Sequence, residues 1–232
     1  MQPGEQIDDL GLANLKIIQK KGCFRYGTDA VVLSDFAAKY VGKESRLLDI
    51  GTGTGILPLL LSAKTEAAEL VGLELQQEMA GLAERSVLLN EDSGAIERGR
   101  VRILEGDIKN ARKTFAPRSF DTVVTNPPYK RLGAGIPCGS DRLNIARHES
   151  TCTLSDIVEN AAFLLKSRGD FIMVNRPERL ADAIEALRAC RLEPKELRFV
   201  YSDIHARPIL FLLRAVLFGG KNLVIEKGIE VK

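Results

Sequence analysis

Three alternating glycines, Gly51, Gly53 and Gly55, restrict this chain more than any other feature, because they join an apolar segment to a leucine-rich one. Arg46-Leu47-Leu48-Asp49-Ile50 reads as a short strand, and Ile56 to Lys64 has leucines at helical spacing. The unit is therefore strand, tight turn, helix. Glycines at such a turn allow positive φ angles and let the backbone approach a ligand closely. The dinucleotide fingerprint requires a small residue at the position held here by Ile56, so a nicotinamide cofactor does not suit the loop.

The same alternation continues downstream. Glu69 to Leu75 predicts a second strand, Gln76 to Asn90 a helix, Val101 to Glu105 a third strand and Phe120 to Thr125 a fourth. Ser155-Asp156 offers a cap for a helix to about Lys166, stopped by Arg168-Gly169. Phe171 to Asn175 gives the fifth strand, and Pro177 opens a helix through about Cys190. Glu196 to Tyr201 and Ile209 to Phe218 suit an antiparallel pair at a sheet edge, with a further short strand at Leu223 to Glu226. Ahead of these units, Leu15 to Gln19 and Cys23 to Tyr26 flank Lys20-Lys21-Gly22 as a hairpin, followed by an amphipathic helix from Asp29 to Tyr40. With 232 residues and no linker, the chain is expected to form one domain. In it, residues 1–45 would make a lid on a core of residues 46–232. The fold expected is α/β and Rossmann-like: a mostly parallel seven-stranded sheet, helices on both faces, and an antiparallel edge strand.

Acidic residues close three successive strands: Asp49 before the glycine loop, Glu74 about 20 residues beyond it, and Asp107 after the third strand. Open α/β sheets bind ligands in the crevice at those strand ends. A G-x-G-x-G turn preceded by a carboxylate suits S-adenosyl-L-methionine, with Glu74 accepting from both ribose hydroxyls and Asp107 from the adenine amine.

At the end of the fourth strand stands Thr125-Asn126-Pro127-Pro128-Tyr129. Consecutive prolines fix the backbone and remove two donors, which leaves carbonyl oxygens and the Asn126 side chain as acceptors. An exocyclic amine is a poor nucleophile because its lone pair is delocalised. Hydrogen bonds from its two N–H groups to Asn126 Oδ1 and the Pro127 carbonyl would favour a pyramidal nitrogen with a localised pair. Alignment and electrostatics would then supply most of the acceleration. Tyr129 would stack on the base, a contact worth roughly 1–3 kcal/mol, and an unpaired base costs least to present in this way.

These motifs resemble those of class I methyltransferases that use S-adenosyl-L-methionine and carry Asn-Pro-Pro-Tyr, over nearly the whole chain. Several runs are similar, more narrowly, to the bacterial family that N6-methylates adenine 37 of a valine tRNA. They are Ile7-Asp8-Asp9-Leu10, Phe24-Arg25-Tyr26-Gly27-Thr28-Asp29-Ala30, the glycine loop, Asn126-Pro127-Pro128-Tyr129 and Ala146-Arg147-His148-Glu149. The resemblance implies cofactor contacts at Thr28, Asp49, Gly51, Thr52, Gly53, Gly55, Glu74, Asp107 and Asn126, and catalytic roles for Asn126, Pro127, Pro128 and Tyr129. It also places the Tyr26 to Asp29 segment at the methionine end of the cofactor. Related enzymes that methylate a glutamine of peptide release factors carry a helical domain before the glycine loop, for which the 48 residues ahead of Asp49 leave little room. DNA adenine methyltransferases need a recognition region that the 103 residues after Tyr129 do not accommodate beside the core strands. Guanine-N2 methylation of ribosomal RNA stays open.

Net charge is only +2, yet residues 130–232 carry 17 basic and 13 acidic groups. A tRNA partner is expected to meet this part. Lys130, Arg131, Arg142 and Arg147 would act around an exposed loop at residues 130–147, with Arg188, Arg191, Lys195 and Arg198 nearby. His148 suits either an RNA contact or a structural role. The four cysteines contain no C-x-x-C pair and read as free thiols, and two histidines do not suggest a metal site. The chain has no run of 18 uncharged apolar residues and no signal-peptide start, so a cytoplasmic protein without membrane contact is expected. No particular oligomeric state is implied.

Overall fold

The computed structural model describes residues 2–20, 27–127 and 152–231. Its chain opens with β1 (Glu5–Asp9) and β2 (Lys16–Lys20), continues through α1 (Thr28–Ala38) and β3 (Arg46–Ile50), and then α2 (Ile56–Lys64), β4 (Glu69–Glu74) and α3 (Gln77–Asp92). Next come β5 (Val101–Glu105), a 3-10 turn (Ile108–Asn110) running into the one-turn α4 (Ala111–Thr114), and β6 (Phe120–Thr125). After the undescribed stretch follow α5 (Leu154–Leu164), β7 (Leu165–Asn175), α6 (Leu180–Ala189), β8 (Leu192–Tyr201), β9 (Leu210–Leu217), β10 (Val224–Ile225) and β11 (Ile229–Glu230).

Seven long strands form the sheet in the order β5-β4-β3-β6-β7-β9-β8, and the two-residue β10 and β11 both pair in parallel with β8. Among the described strands of this sheet only β9 runs against its neighbours, and with β8 it makes the expected antiparallel pair toward one edge. The strand order reverses between β3 and β6, so a crevice opens at the carboxyl ends of those two neighbours.

The apolar runs of the parallel strands are continuous because both faces are covered. Leu47, Leu70, Val101 and Val124 pack with α1, α2 and α3, while Leu48, Val71, Val123 and Phe171 pack with α5 and α6 on the opposite face. Helix α2 is buried from Ile56 to Ser62, since α1 covers the side turned away from the sheet. Its last turn is closed by Arg100, whose guanidinium donates to the carbonyls of Ser62, Thr65 and Ala67.

Local details differ from the sequence reading in three places. The hairpin partner of β2 is Glu5–Asp9, in register from Glu5 with Lys20 to Asp9 with Lys16; Cys23 to Tyr26 lie outside the described residues. The other edge of β2 is satisfied by side chains of α3: the Ile18 N–H donates to Ser86 Oγ, and Asn90 both accepts from Lys16 N and donates to Lys16 O. One side-chain amide and one hydroxyl thus take up these backbone groups, a pairing that hydrophobic periodicity does not reveal. Helix α5 is capped by Thr153 rather than Ser155, in a reciprocal box with Asp156. Finally, Arg168-Gly169 is a kink inside β7 and not a helix stop. Arg168 has φ +69°, the register to β6 shifts between Phe120 and Thr122, and a Cβ at Gly169 would lie 2.8 Å from the Asp121 carbonyl.

Candidate functional site

The glycine loop leaves β3 with Gly51, Gly53 and Gly55 at φ +74°, +57° and +82°, a conformation that residues with a Cβ rarely adopt. Leu73 O accepts from both Gly51 N and Thr52 N, and Gly55 N donates to Thr52 O, which draws the turn over the end of β4. Glu74, buried at the end of β4, fixes the loop from the other side: its Oε2 accepts from Gly53 N at 2.8 Å and its Oε1 from Gln76 N at 2.9 Å. A carboxylate oriented by two amides keeps further acceptor positions on each oxygen. Among the described residues, apart from each glycine's chain neighbours, no atom lies within 4 Å of where a Cβ would stand on Gly51 or Gly53, so on this side the loop borders space that a ligand can enter.

Asp49 is fully buried beneath the loop, and among the described residues neither its oxygens nor the nearby Thr52 hydroxyl makes a hydrogen bond of ordinary geometry. Burial pushes the Asp49 carboxyl up from 3.8 to about 7, opposed by the Thr52 hydroxyl and reinforced by the Glu74 charge. Buried groups with unused hydrogen-bonding capacity are uncommon away from functional sites. Together with the amide-held Glu74 and the open space over the glycines, they suit a ligand that is polar and partly cationic. Asp107 stands at the end of β5, where its Oδ1 accepts from Lys109 N and caps the 3-10 turn.

Asn126 lies across the switch point from these groups. Thr125 Oγ1 donates to Ile50 O at 3.0 Å, tying the end of β6 to the end of β3 and so fixing Asn126 beside the glycine loop. Pro127 is buried. Asn126 Nδ2 donates to Asp29 Oδ2 at 3.2 Å, which brings the start of α1 to the same place; Thr28, the exposed first residue of that helix, adjoins it. Pro128, Tyr129 and His148 lie outside the described residues, as do Lys130, Arg131, Arg142 and Arg147.

Two contributions were missed in the sequence. Gly72, inside β4, leaves room for the loop: a Cβ there would stand 2.8 Å from Thr52 Oγ1 and 2.9 Å from Ile103 Cδ1. A glycine within a strand is the available signal for such close approach. Asp29, placed by the resemblance only within the Tyr26 to Asp29 segment at the methionine end of the cofactor, also meets Asn126.

The basic residues of β8 and its approach do not gather at this end. Because β8 is parallel to β7, Arg188, Arg191 and Lys195 fall at the amino ends of the strands, opposite the crevice. They meet Glu193, the Phe218 ring and the Gly220 carbonyl respectively, while Arg198 pairs with Glu226. At the crevice end stand instead Arg176 and Arg179 after β7, and His205 and Arg207 in the turn between β8 and β9.

Of the cysteines, Cys152 and Cys190 are free thiols; burial pushes Cys152 up to about 11, which suits packing rather than nucleophilic attack. Among the described residues no cluster of His, Cys, Asp or Glu could hold a metal ion, and no helix is long and apolar enough to cross a membrane.

Comparison with known proteins agrees with this geometry. The chain is 31% identical over 189 residues to a tRNA1(Val) (adenine(37)-N6)-methyltransferase of Tolumonas auensis, covering 77% of this chain and 74% of that one. A protein of the same name from Bacteroides thetaiotaomicron is 31% identical over 166 residues, covering 71% and 65%. Among solved structures, a predicted O-methyltransferase from Agrobacterium tumefaciens superposes with a TM-score of 0.68 at 22% identity, covering 87% of this chain and 86% of the other. Geranyl diphosphate C-methyltransferase from Streptomyces coelicolor, in complex with S-adenosyl-L-homocysteine, gives 0.58 at 13% identity, covering 81% and 77%. These two likenesses show the fold. A model of the methyltransferase small domain matches residues 14–200, and the chain belongs to that family of methyltransferases.

Proposed function

We propose that the protein uses S-adenosyl-L-methionine to methylate the exocyclic N6 of an adenine in a tRNA anticodon loop, adenine 37 of a valine tRNA, as its relatives are named for doing. The observation that carries this reading is the pairing of two sites at one switch point: an amide-held carboxylate and an open glycine loop on one side, Asn126-Pro127 on the other.

In this reading Glu74 holds the ribose hydroxyls, Asp107 the adenine amine, the loop from Gly51 through Thr52 and Gly53 to Gly55 the amino-acid portion, and Asp49 the cationic end. Thr28 and Asn126 complete the cofactor's surroundings. S-adenosyl-L-methionine supplies an electrophilic methyl group on its sulfonium. Asn126 Oδ1 and the Pro127 carbonyl accept the two N–H groups of the target amine, which loosens its conjugation and directs the lone pair. Pro128 keeps the platform rigid and Tyr129 stacks on the base. One amine proton leaves to water once the nitrogen has become cationic, so no strong base is required before attack. Residues 1–45 act as a lid on the domain formed with residues 46–232. RNA is held by Lys130, Arg131, Arg142 and Arg147, in a cytoplasmic enzyme.

Asn126→Ala tests the reading. As one cofactor contact among several, its loss should weaken cofactor affinity by less than about tenfold, under about 1.4 kcal/mol, and abolish methyl transfer. Normal turnover at saturation would refute the role of Asn126. Transfer of labelled methyl groups to separate pools of tRNA, ribosomal RNA, DNA and release factor identifies the acceptor, and label in the release factor alone would overturn the tRNA assignment.

A further inference from the structure

We propose that Asp29 is a positioning residue for methyl transfer: its carboxylate holds the Asn126 amide in the orientation that presents Oδ1 to the target amine. The inference rests on the reading of Asn126 given above and extends it to a residue on another element.

An asparagine amide has nearly the same shape after a half-turn about its last side-chain bond, but the half-turn exchanges an acceptor for a donor. A platform for an N–H group works only with the oxygen outward, so something has to distinguish the two orientations. Asp29 does so, because an ionised carboxylate only accepts. It takes the Nδ2 hydrogen at 3.2 Å and would meet the oxygen of a turned amide with acceptor against acceptor. Planarity of the amide then puts Oδ1 on the side away from Asp29.

The carboxylate is itself held in place. Asp29 Oδ1 accepts from Ala30 N at 2.9 Å in the first turn of α1, where unpaired backbone N–H groups and the helix dipole favour a negative charge. Helix α1 is in turn anchored by buried Leu33, Phe36 and Ala37. Gly27 belongs to the device, since a Cβ there would stand 2.5 Å from Asp29 Oδ1 and push the carboxylate away. Its own φ of −92° is one that any residue adopts, so the glycine is needed for space and not for backbone conformation.

Asp29→Asn supplies a side chain that can donate as well as accept, and so satisfies either orientation of Asn126. The single-turnover rate on tRNA should fall about 10- to 100-fold, the loss expected for one charge-assisted hydrogen bond, with cofactor affinity by calorimetry within twofold. The Asn126 side-chain amide resonance, assigned by its disappearance in Asn126→Ala, should shift. Gly27→Ala should lower the rate in the same direction, which keeps the test valid if Asp29→Asn does not fold. An unchanged saturating rate in both variants overturns the proposal, as does a loss of cofactor affinity that tracks the loss of rate. If Asn126→Ala is inactive while Asp29→Asn is fully active, only this inference fails; if Asn126→Ala is itself active, the reading beneath it fails.

Discussion

Asp49→Asn is the substitution whose effect the structure fixes most closely. The side chain is fully buried, its two oxygens lack well-formed hydrogen bonds, and its carboxyl is pushed from 3.8 to about 7. Raising a carboxyl pKa on folding means that the native state holds a proton the unfolded chain would release, so the ionised form opposes folding. The penalty is small below the unfolded value, grows as pH rises from about 4 to about 7, and is complete above the folded value. With about 1.4 kcal/mol for each tenfold change in proton affinity, the full penalty is on the order of 4 kcal/mol, falling below about 1 kcal/mol at pH 4. Asparagine removes this pH-dependent cost but introduces a buried amide without partners, which costs roughly 1–3 kcal/mol at every pH. The stability difference between variant and parent should therefore move by about 3 kcal/mol in the variant's favour from pH 4 to pH 8. Chemical denaturation at four or five pH values measures it. A difference that is flat with pH, or that moves against asparagine as pH rises, would refute the reasoning. The gain at high pH should coincide with weaker cofactor binding, because the same oxygens would face the cationic end of the ligand.

Gly72→Ala places a Cβ within 3 Å of Thr52 and Ile103, and overpacking of this kind costs about 1–3 kcal/mol; displacement of the loop should also weaken cofactor binding in a calorimetric titration, and unchanged affinity together with an unchanged melting temperature would contradict the packing argument. Asn90→Ala leaves both backbone groups of Lys16 without their α3 partner, a loss of roughly 1–3 kcal/mol. Amide exchange at Lys16 and Ile18 should speed up well before the central strands respond, and uniform exchange throughout would show that the hairpin does not depend on this contact.

Periodicity and turn chemistry made the parallel sheet legible, since each strand from Arg46 to Asn175 is an apolar run closed by a turn residue, and Asp49, Glu74 and Asp107 do stand at or just beyond the carboxyl ends of β3, β4 and β5. Less legible was anything decided by a side chain replacing a backbone partner. The pairing of Lys16 to Lys20 with Glu5 to Asp9 was not read from the sequence, nor was the completion of its other edge by Asn90 and Ser86 from a helix about 70 residues away, a distance at which sequence pattern carries no signal. Arg188, Arg191 and Lys195 are close in sequence to the last core strands, yet strand direction carries them to the far end of the sheet. The hydrogen bond between Asp29 and Asn126, 97 positions apart, shows the same limit within the site.

The reversal of strand order at β3 and β6 divides the enzyme into two workshops that share one wall. Most of what is assigned to the methyl donor comes from β3, β4 and β5, with Thr28 and Asn126 as the exceptions, and the acceptor platform starts at the end of β6, with the β8–β9 hairpin farther out along the sheet. Changes confined to β7, β8 and β9 leave the glycine loop and the Glu74 contacts in place. A lineage built on this plan can therefore change what it modifies without having to reinvent how it carries the methyl group.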